Sequence, residues 1–190
     1  MTMKKLFIDV DDVICDNGFM FLVNDYLGTN YTLDDVKTYY VEEELMTEEQ
    51  KLDFYKYLED KNPYEHNFIF DGAKEGLRAL NEKYDLYICS SCAIDIPGLK
   101  EASGMFYKNK YDFLIENFPF LDVNKFVFTG SKNIFKCDIQ IDDRLSHLKG
   151  DAEIKLLFDA YHNREYDDEF LESRGIKRVK TWIDIANILL

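Results

Sequence analysis

Phe7-Ile8-Asp9-Val10-Asp11-Asp12-Val13, close to the amino terminus, sets three carboxylates into an apolar run. The stretch leading to Asp9 is apolar without alternation, the pattern of a strand buried on both faces of a parallel sheet. A strand over residues 5–10 would deliver Asp9 and its neighbours to its carboxyl end. Ligands of open α/β sheets bind at that end. Four further apolar runs, 84–89, 125–129, 138–141 and 154–158, repeat the pattern farther along the chain. Helical spacing lies between them, with Leu77 and Leu80 in 73–83 and Tyr111, Leu114, Ile115 and Phe118 in 107–118. Alternation of this kind predicts a doubly wound α/β fold with three layers, a Rossmann-like core around a parallel sheet.

One region interrupts the alternation. Residues 17–70 are rich in Tyr, Phe, Glu and Asp, show helical periodicity over 19–27, 33–40 and 48–58, and contain no convincing strand. Thr47, followed three positions later by Gln50, has the form of a capping box that starts a helix. Pro63 and Asp71-Gly72 mark the return to the core. The expected organisation is therefore an α/β core of residues 1–16 and 71–190, with a small helical cap, 17–70, inserted after the first strand. The acidic run Glu42-Glu43-Glu44 reads as a solvated face of that cap.

At 190 residues, with 46% hydrophobic content, the chain can bury one full core. Its 37 acidic residues outnumber 23 basic ones, and the net charge of -14 repels polyanions. Nucleic acid polymers and anionic membranes are excluded as partners, whereas a small phosphorylated ligand is admitted if a cation and amide dipoles invert the potential locally. The apolar stretch after Met1-Thr2-Met3-Lys4-Lys5 is too short for a signal peptide or a membrane span, so a cytoplasmic protein is expected. The sequence leaves a homodimer open. The four cysteines, Cys15, Cys89, Cys92 and Cys137, sit in or beside apolar runs, as reduced buried thiols do. Cys89 and Cys92 form a C-x-x-C without the second pair that a zinc ribbon needs.

The polar residues after each strand carry the chemistry. They are Asp9, Asp11 and Asp12 after the first, Ser90 and Ser91 after the second, and Asp142 and Asp143 after the fourth. Each alone reads as a turn residue, but carboxylates converging from separate strand ends repel one another unless a hard divalent cation sits among them. Magnesium is the natural candidate. The hydroxyls and amides at Ser90 and Ser91 suit phosphoryl oxygens, and Lys108 or Lys110, opening the next helix, can add a point charge. His66 and His147 carry no partner signal, the pair His162-Asn163 reads as structural, and Trp182 is expected to pack the final helix on the sheet.

Asp9-Val10-Asp11-Asp12-Val13 resembles the D-x-D-x-[TV] motif of the haloacid dehalogenase-like (HAD) phosphatases. More narrowly, the chain resembles the 5'(3')-deoxyribonucleotidase family through Phe70-Asp71-Gly72-Ala73, Ile88-Cys89-Ser90-Ser91, Lys110-Tyr111 and Ile141-Asp142-Asp143-Arg144. The tail adds Leu157-Phe158-Asp159-Ala160-Tyr161-His162-Asn163 and Thr181-Trp182. This resemblance implies that Asp9 attacks phosphorus to form an aspartyl-phosphate and that Asp11 acts as general acid and base. It further implies that Ser90 and Lys110, with Ser91 beside them, hold the phosphoryl oxygens of a nucleoside monophosphate. Asp9, the Asp11 carbonyl, and Asp142 or Asp143, Asp143 favoured, would hold Mg2+. Two positions depart from the family pattern. Asp12 stands where most relatives have glycine, and Asn17 stands where the family has an aromatic residue that stacks on the base, which leaves Phe19 or Phe21 to supply a ring. Sugar phosphates as substrates, and a non-catalytic protein that binds a phosphorylated ligand, are the alternative readings.

Overall fold

The computed structural model describes residues 2–16, 18–91, 93, 100 and 102–190. Asn17 and Cys92 lie outside the described residues. Six parallel strands form one sheet: β1 (Lys5–Ile8), β2 (Asp85–Ser90), β3 (Phe126–Phe128), β4 (Ile139–Asp142), β5 (Ile154–Phe158) and β6 (Ile176–Val179), in the order β3-β2-β1-β4-β5-β6. From β1 the chain builds outward to β2 and β3, then returns to place β4 on the other side of β1. The order thus reverses between β1 and β4, where open α/β sheets form their ligand crevice. β1 and β4 are almost wholly buried because helices cover both faces, which is why their sequences show no polar alternation.

Five strands fall where the apolar runs place them, and β6 is an addition. Its sequence, Ile176-Lys177-Arg178-Val179, buries only its two ends and carries two cations between them, so it lacks the signature of a central strand. It is an edge strand, and Arg178 fastens that edge. The guanidinium bonds Asp159, Asn163 and Tyr166, tying the turn after β5 to β6.

The helices α1 (Phe19–Leu27), α2 (Val41–Leu45) and α3 (Glu48–Tyr57) lie between β1 and α4 (Ala73–Lys83). They gather a hydrophobic cluster of their own, with Leu22, Val23, Val41, Phe54 and Leu58 at its centre. Thr47 and Gln50 form the expected reciprocal cap, Gln50 N–H donating to Thr47 Oγ1 at 3.3 Å and Thr47 N–H to Gln50 Oε1 at 3.0 Å. The periodicity over 33–40 yields only a short 3-10 turn, Leu33–Asp35, and the acidic run is solvated in part, with Glu43 and Glu44 exposed. Glu42 is buried and accepts a 2.7 Å bond from Tyr55, while Glu43 pairs with the buried Lys51. An acidic triplet on a short helix can turn only part of itself to water. Gly18, at a φ of 63°, opens α1 where a Cβ would meet the Pro63 carbonyl oxygen at 2.0 Å, so this close approach requires glycine.

Helix α5 (Ala102–Asn117) begins earlier than the apolar stripe suggests, and Lys108 and Lys110 lie within it, not at its start. Leu114 and Phe118 are buried, whereas Ile115 is exposed. Helices α6 (Asp168–Ser173) and α7 (Trp182–Leu189) complete the outer layers. Trp182 packs on Gly76 of α4 and donates its indole N–H to the Val13 carbonyl at 2.9 Å, fastening α7 to the loop after β1. Among the described residues, no helix is long and apolar enough to cross a membrane. Trp182→Phe keeps most of the ring packing but leaves the buried Val13 carbonyl unpaired. A loss of about 1–3 kcal/mol in chemical denaturation is expected.

Candidate active site

Local sequence explains how the first loop presents its carboxylates. Val10, Val13 and Ile14 are completely buried, and the Val10 carbonyl receives the amides of Ile14 at 2.8 Å and Val13 at 3.3 Å. With Val10 turned into the core, Asp9 and Asp11 on either side of it each meet a buried lysine. The turn closes through Asp12, whose φ of 55° is left-handed, a conformation that costs most side chains about 1–2 kcal/mol and that Asp tolerates better than most.

β1 and β4 pair in register with Ile8 opposite Ile141, so Asp9 and Asp142 emerge side by side. The cation between them is Lys132, which was not among the residues expected at the site. Its Nζ lies 2.6 Å from Asp9 and 2.7 Å from Asp142, and its side chain is fully buried. Burial opposes the charged ammonium, but Asp9 and Asp142 outweigh it and raise the lysine's pKa. Burial likewise opposes the Asp142 carboxylate, yet Lys132 and His147 hold its pKa down at about 2. Lys132 follows β3.

His147 does have a partner: its Nδ1 lies 2.9 Å from Asp142 Oδ1. Asp142 is thereby committed on both oxygens, because Oδ1 also accepts the Arg144 amide and Oδ2 meets Lys132. Asp143 is different. Its Oδ2 contacts His162 Nε2 at 2.8 Å, and its carbonyl accepts from Asn163 at 2.8 Å, so His162 and Asn163 serve the site as well as the turn. Burial, with Arg144 nearby, lowers the His162 pKa to about 4, which keeps the ring neutral near pH 7. The Asp143–His162 contact is thus a hydrogen bond. Burial and the charges of Asp142, Asp9 and Asp12 push the Asp143 pKa well up, and burial with Asp11, Asp16 and Asp9 raises that of Asp12 to about 8.

The other predicted residues meet at Lys110. Its buried Nζ bonds Ser90 Oγ at 2.7 Å, Asp11 Oδ2 at 2.7 Å and the Ser91 carbonyl at 2.8 Å. Lys108 points away, exposed and paired with Asp112, so Lys110 is the lysine of the site. Ser90 has no exposed surface, and its hydroxyl orients Lys110, whereas Ser91 reaches a cavity of about 580 Å³ between the inserted helices and the sheet edge. Asp11, Asp12, Tyr64 and Phe19 also line this cavity. Tyr64, another residue without a sequence signal, donates to Asp11 Oδ1 at 2.7 Å and connects the inserted segment to the loop after β1. Phe21 is exposed and stacked on His66 with ring centres 3.7 Å apart, so of the two candidate rings only Phe19 reaches the cavity.

These oxygen donors suit a hard divalent cation. Asp143 offers a carboxylate and Asp11 a backbone carbonyl, while Asp9 could join them although its Oδ2 meets Lys132 and its Oδ1 accepts the Val10 amide. Asp142, already bonded to a lysine, a histidine and an amide, is the poorer candidate.

Sequence comparison places this arrangement in a family. Residues 3–190 match the profile of the family described as 5' nucleotidase, deoxy (pyrimidine), cytosolic type C. The chain belongs to this 5' nucleotidase family. It is 31% identical over 195 residues to the 5'(3')-deoxyribonucleotidase of Bacillus subtilis, covering 99% of this chain and 100% of that protein. The same values hold for the 5'(3')-deoxyribonucleotidase of Bacillus phage SPbeta. In structure the chain is similar to a haloacid dehalogenase-like protein of Agrobacterium tumefaciens, with a TM-score of 0.56 at 12% identity over 98% of this chain and 97% of that one, a likeness of fold. The nucleotidase-family chain thus carries the HAD architecture that its first motif suggested.

Replacing Lys132 by methionine would leave Asp9 and Asp142 buried without their cation. We expect a loss of about 3–5 kcal/mol in urea unfolding, the usual consequence of removing one partner of a buried ion pair. A loss below about 1 kcal/mol would show that the two carboxylates do not depend on it.

Proposed function

We propose that this protein is a magnesium-dependent phosphomonoesterase that hydrolyses nucleoside monophosphates, deoxyribonucleotides above all, through an aspartyl-phosphate on Asp9. The observation that carries this reading is that buried lysines hold both carboxylates of the first motif, Lys132 pairing with Asp9 and Lys110 with Asp11, and that Asp11 lines the cavity, in a chain of the 5' nucleotidase family. Two buried ammonium groups offset part of the carboxylate charge here, and a bound cation would complete a local place for a phosphate dianion in an acidic protein.

In the first half-reaction an Asp9 carboxylate oxygen attacks phosphorus, and the bond between phosphorus and the ester oxygen breaks. Asp11, in its carboxylic acid form, gives its proton to the departing nucleoside oxygen. In the second half Asp11, now a carboxylate, takes a proton from water. The water oxygen bonds to phosphorus as the Asp9–phosphorus bond breaks, which releases inorganic phosphate and restores Asp9. Lys110 keeps Asp11 and Ser90 aligned, and Tyr64 holds the second Asp11 oxygen. Ser91, with Lys110, supports the phosphoryl oxygens, and Lys132 keeps the Asp9 carboxylate directed at the crevice. A bound magnesium ion, held by Asp9, the Asp11 carbonyl and Asp143, would supply charge that offsets repulsion between carboxylate and phosphate. The inserted helices close over the leaving group and exclude water during attack. Phe19 on the cavity wall offers a ring for the base.

A panel of phosphate esters assayed with magnesium tests this reading. Deoxyribonucleoside monophosphates such as dUMP and dTMP are expected to be hydrolysed fastest, Asp9→Asn to fall to background, and chelation to abolish turnover. Asp11→Asn should still bind the cation through its backbone while losing turnover. Faster hydrolysis of sugar phosphates would favour a different leaving group, and activity surviving Asp9→Asn would remove the nucleophile.

A further inference from the structure

Two groups of ligand-type side chains converge at the carboxyl edge of the sheet, and only one is neutralised. Asp9, Asp142 and His147 gather on one side, where the Lys132 ammonium already supplies a cation. Asp12, Asp143 and His162 gather on the other, with one ligand atom of each within 4.8 Å of the other two. Among the described residues, no lysine or arginine pairs with the Asp12 or Asp143 carboxylate, and none donates a hydrogen bond to the Asp12 carboxylate. Yet Asp12 is only 7% exposed and lines the cavity. Its neighbours here are another carboxylate and a histidine, and a carboxylate held in a cleft without a counter-charge is costly unless a cation joins it.

We propose that Asp12 is an additional ligand of the divalent cation of this centre, shared with Asp143, while His162 holds Asp143 in place. The inference deepens the reading of the site as a cation-dependent phosphatase centre and rests on it. Two oxygens on one magnesium, with bonds of about 2.0–2.1 Å, stand roughly 3–4 Å apart, a spacing that fits inside the 4.8 Å limit of this group. The geometry that presents the carboxylate is the left-handed turn at Asp12, which aims a side chain back at the end of β4 from a position where glycine is the usual occupant of such a turn. His162, bonded to Asp143 Oδ2, leaves Asp143 Oδ1 without a partner among the described residues. The orienting role matches the way outer-shell groups fix metal-binding side chains. An extra anionic ligand strengthens cation binding before substrate arrives. The chain is therefore expected to hold its cation in the free state.

Calorimetric titration of metal-stripped protein with MgCl2, without nucleotide, reads this directly. The wild-type chain is expected to bind one cation, and Asp12→Asn to bind it about tenfold or more weakly, the scale of effect typical of groups that support a metal. Asparagine tolerates the left-handed backbone, so the fold is kept. Asp12→Gly, which also relieves the turn, should show the same loss. Glu43→Gln removes a charge from the same cavity wall without removing a ligand and should keep wild-type affinity. The rise in Tm on adding magnesium should shrink in parallel in both Asp12 variants. Wild-type affinity in Asp12→Asn, or an equal loss in Glu43→Gln, would overturn the role of Asp12 and leave the phosphatase reading standing. A wild-type chain that binds no divalent cation would overturn both.

Discussion

At the carboxyl ends of β1 and β4 the register sets Asp9 beside Asp142, and the Lys132 ammonium stands between them, 2.6 Å from one and 2.7 Å from the other. Adjacent parallel strands that both end in a buried carboxylate would repel each other strongly in a medium of low dielectric. The lysine comes from the turn after β3, at the far side of the sheet from β4, so it also couples the two halves of the doubly wound order across the switch point. It holds the Asp9 side chain at the place where the strand order reverses.

The rest of the site follows from the same constraint. Lys110 repeats it one strand over, joining Ser90 at the end of β2 to Asp11 beyond β1. Each lysine is fully buried and each serves carboxylates of the first motif or of the pair at Asp142-Asp143. The chain as a whole carries a charge of -14, and these interior cations offset part of the carboxylate charge at the strand ends. Tyr64 and Trp182 then fix the first loop from two sides, one through the Asp11 carboxylate and the other through the Val13 carbonyl.

Much of this was legible from residue order. Continuous apolar runs located five strands, and the carboxylates at their ends pointed to the candidate site, because burial on both faces removes polar alternation and leaves charges only where a strand stops. Lys110 was found through its family motif, and the structure separates it from Lys108 by burial. The contacts that residue order hid are those made when loops and turns fold back on the strand ends. Lys132 looks like any loop lysine until β3 is placed beside β2, and Tyr64 looks like any aromatic of the inserted segment until it meets Asp11, 53 positions away. His147 gained its role only when the turn after β4 folded back on Asp142. β6 was missed because an edge strand with cations in its middle carries a weak apolar signal.

The proposed chemistry stands or falls on Asp9 as the residue whose oxygen bonds to phosphorus. Rapid acid quench of the protein turning over dUMP, followed by borohydride reduction and peptide mass analysis, tests it most directly. An acyl phosphate on Asp9 would be reduced to homoserine at position 9, and that product is the expected result. Unmodified Asp9, with the reduced product at another residue, would contradict it.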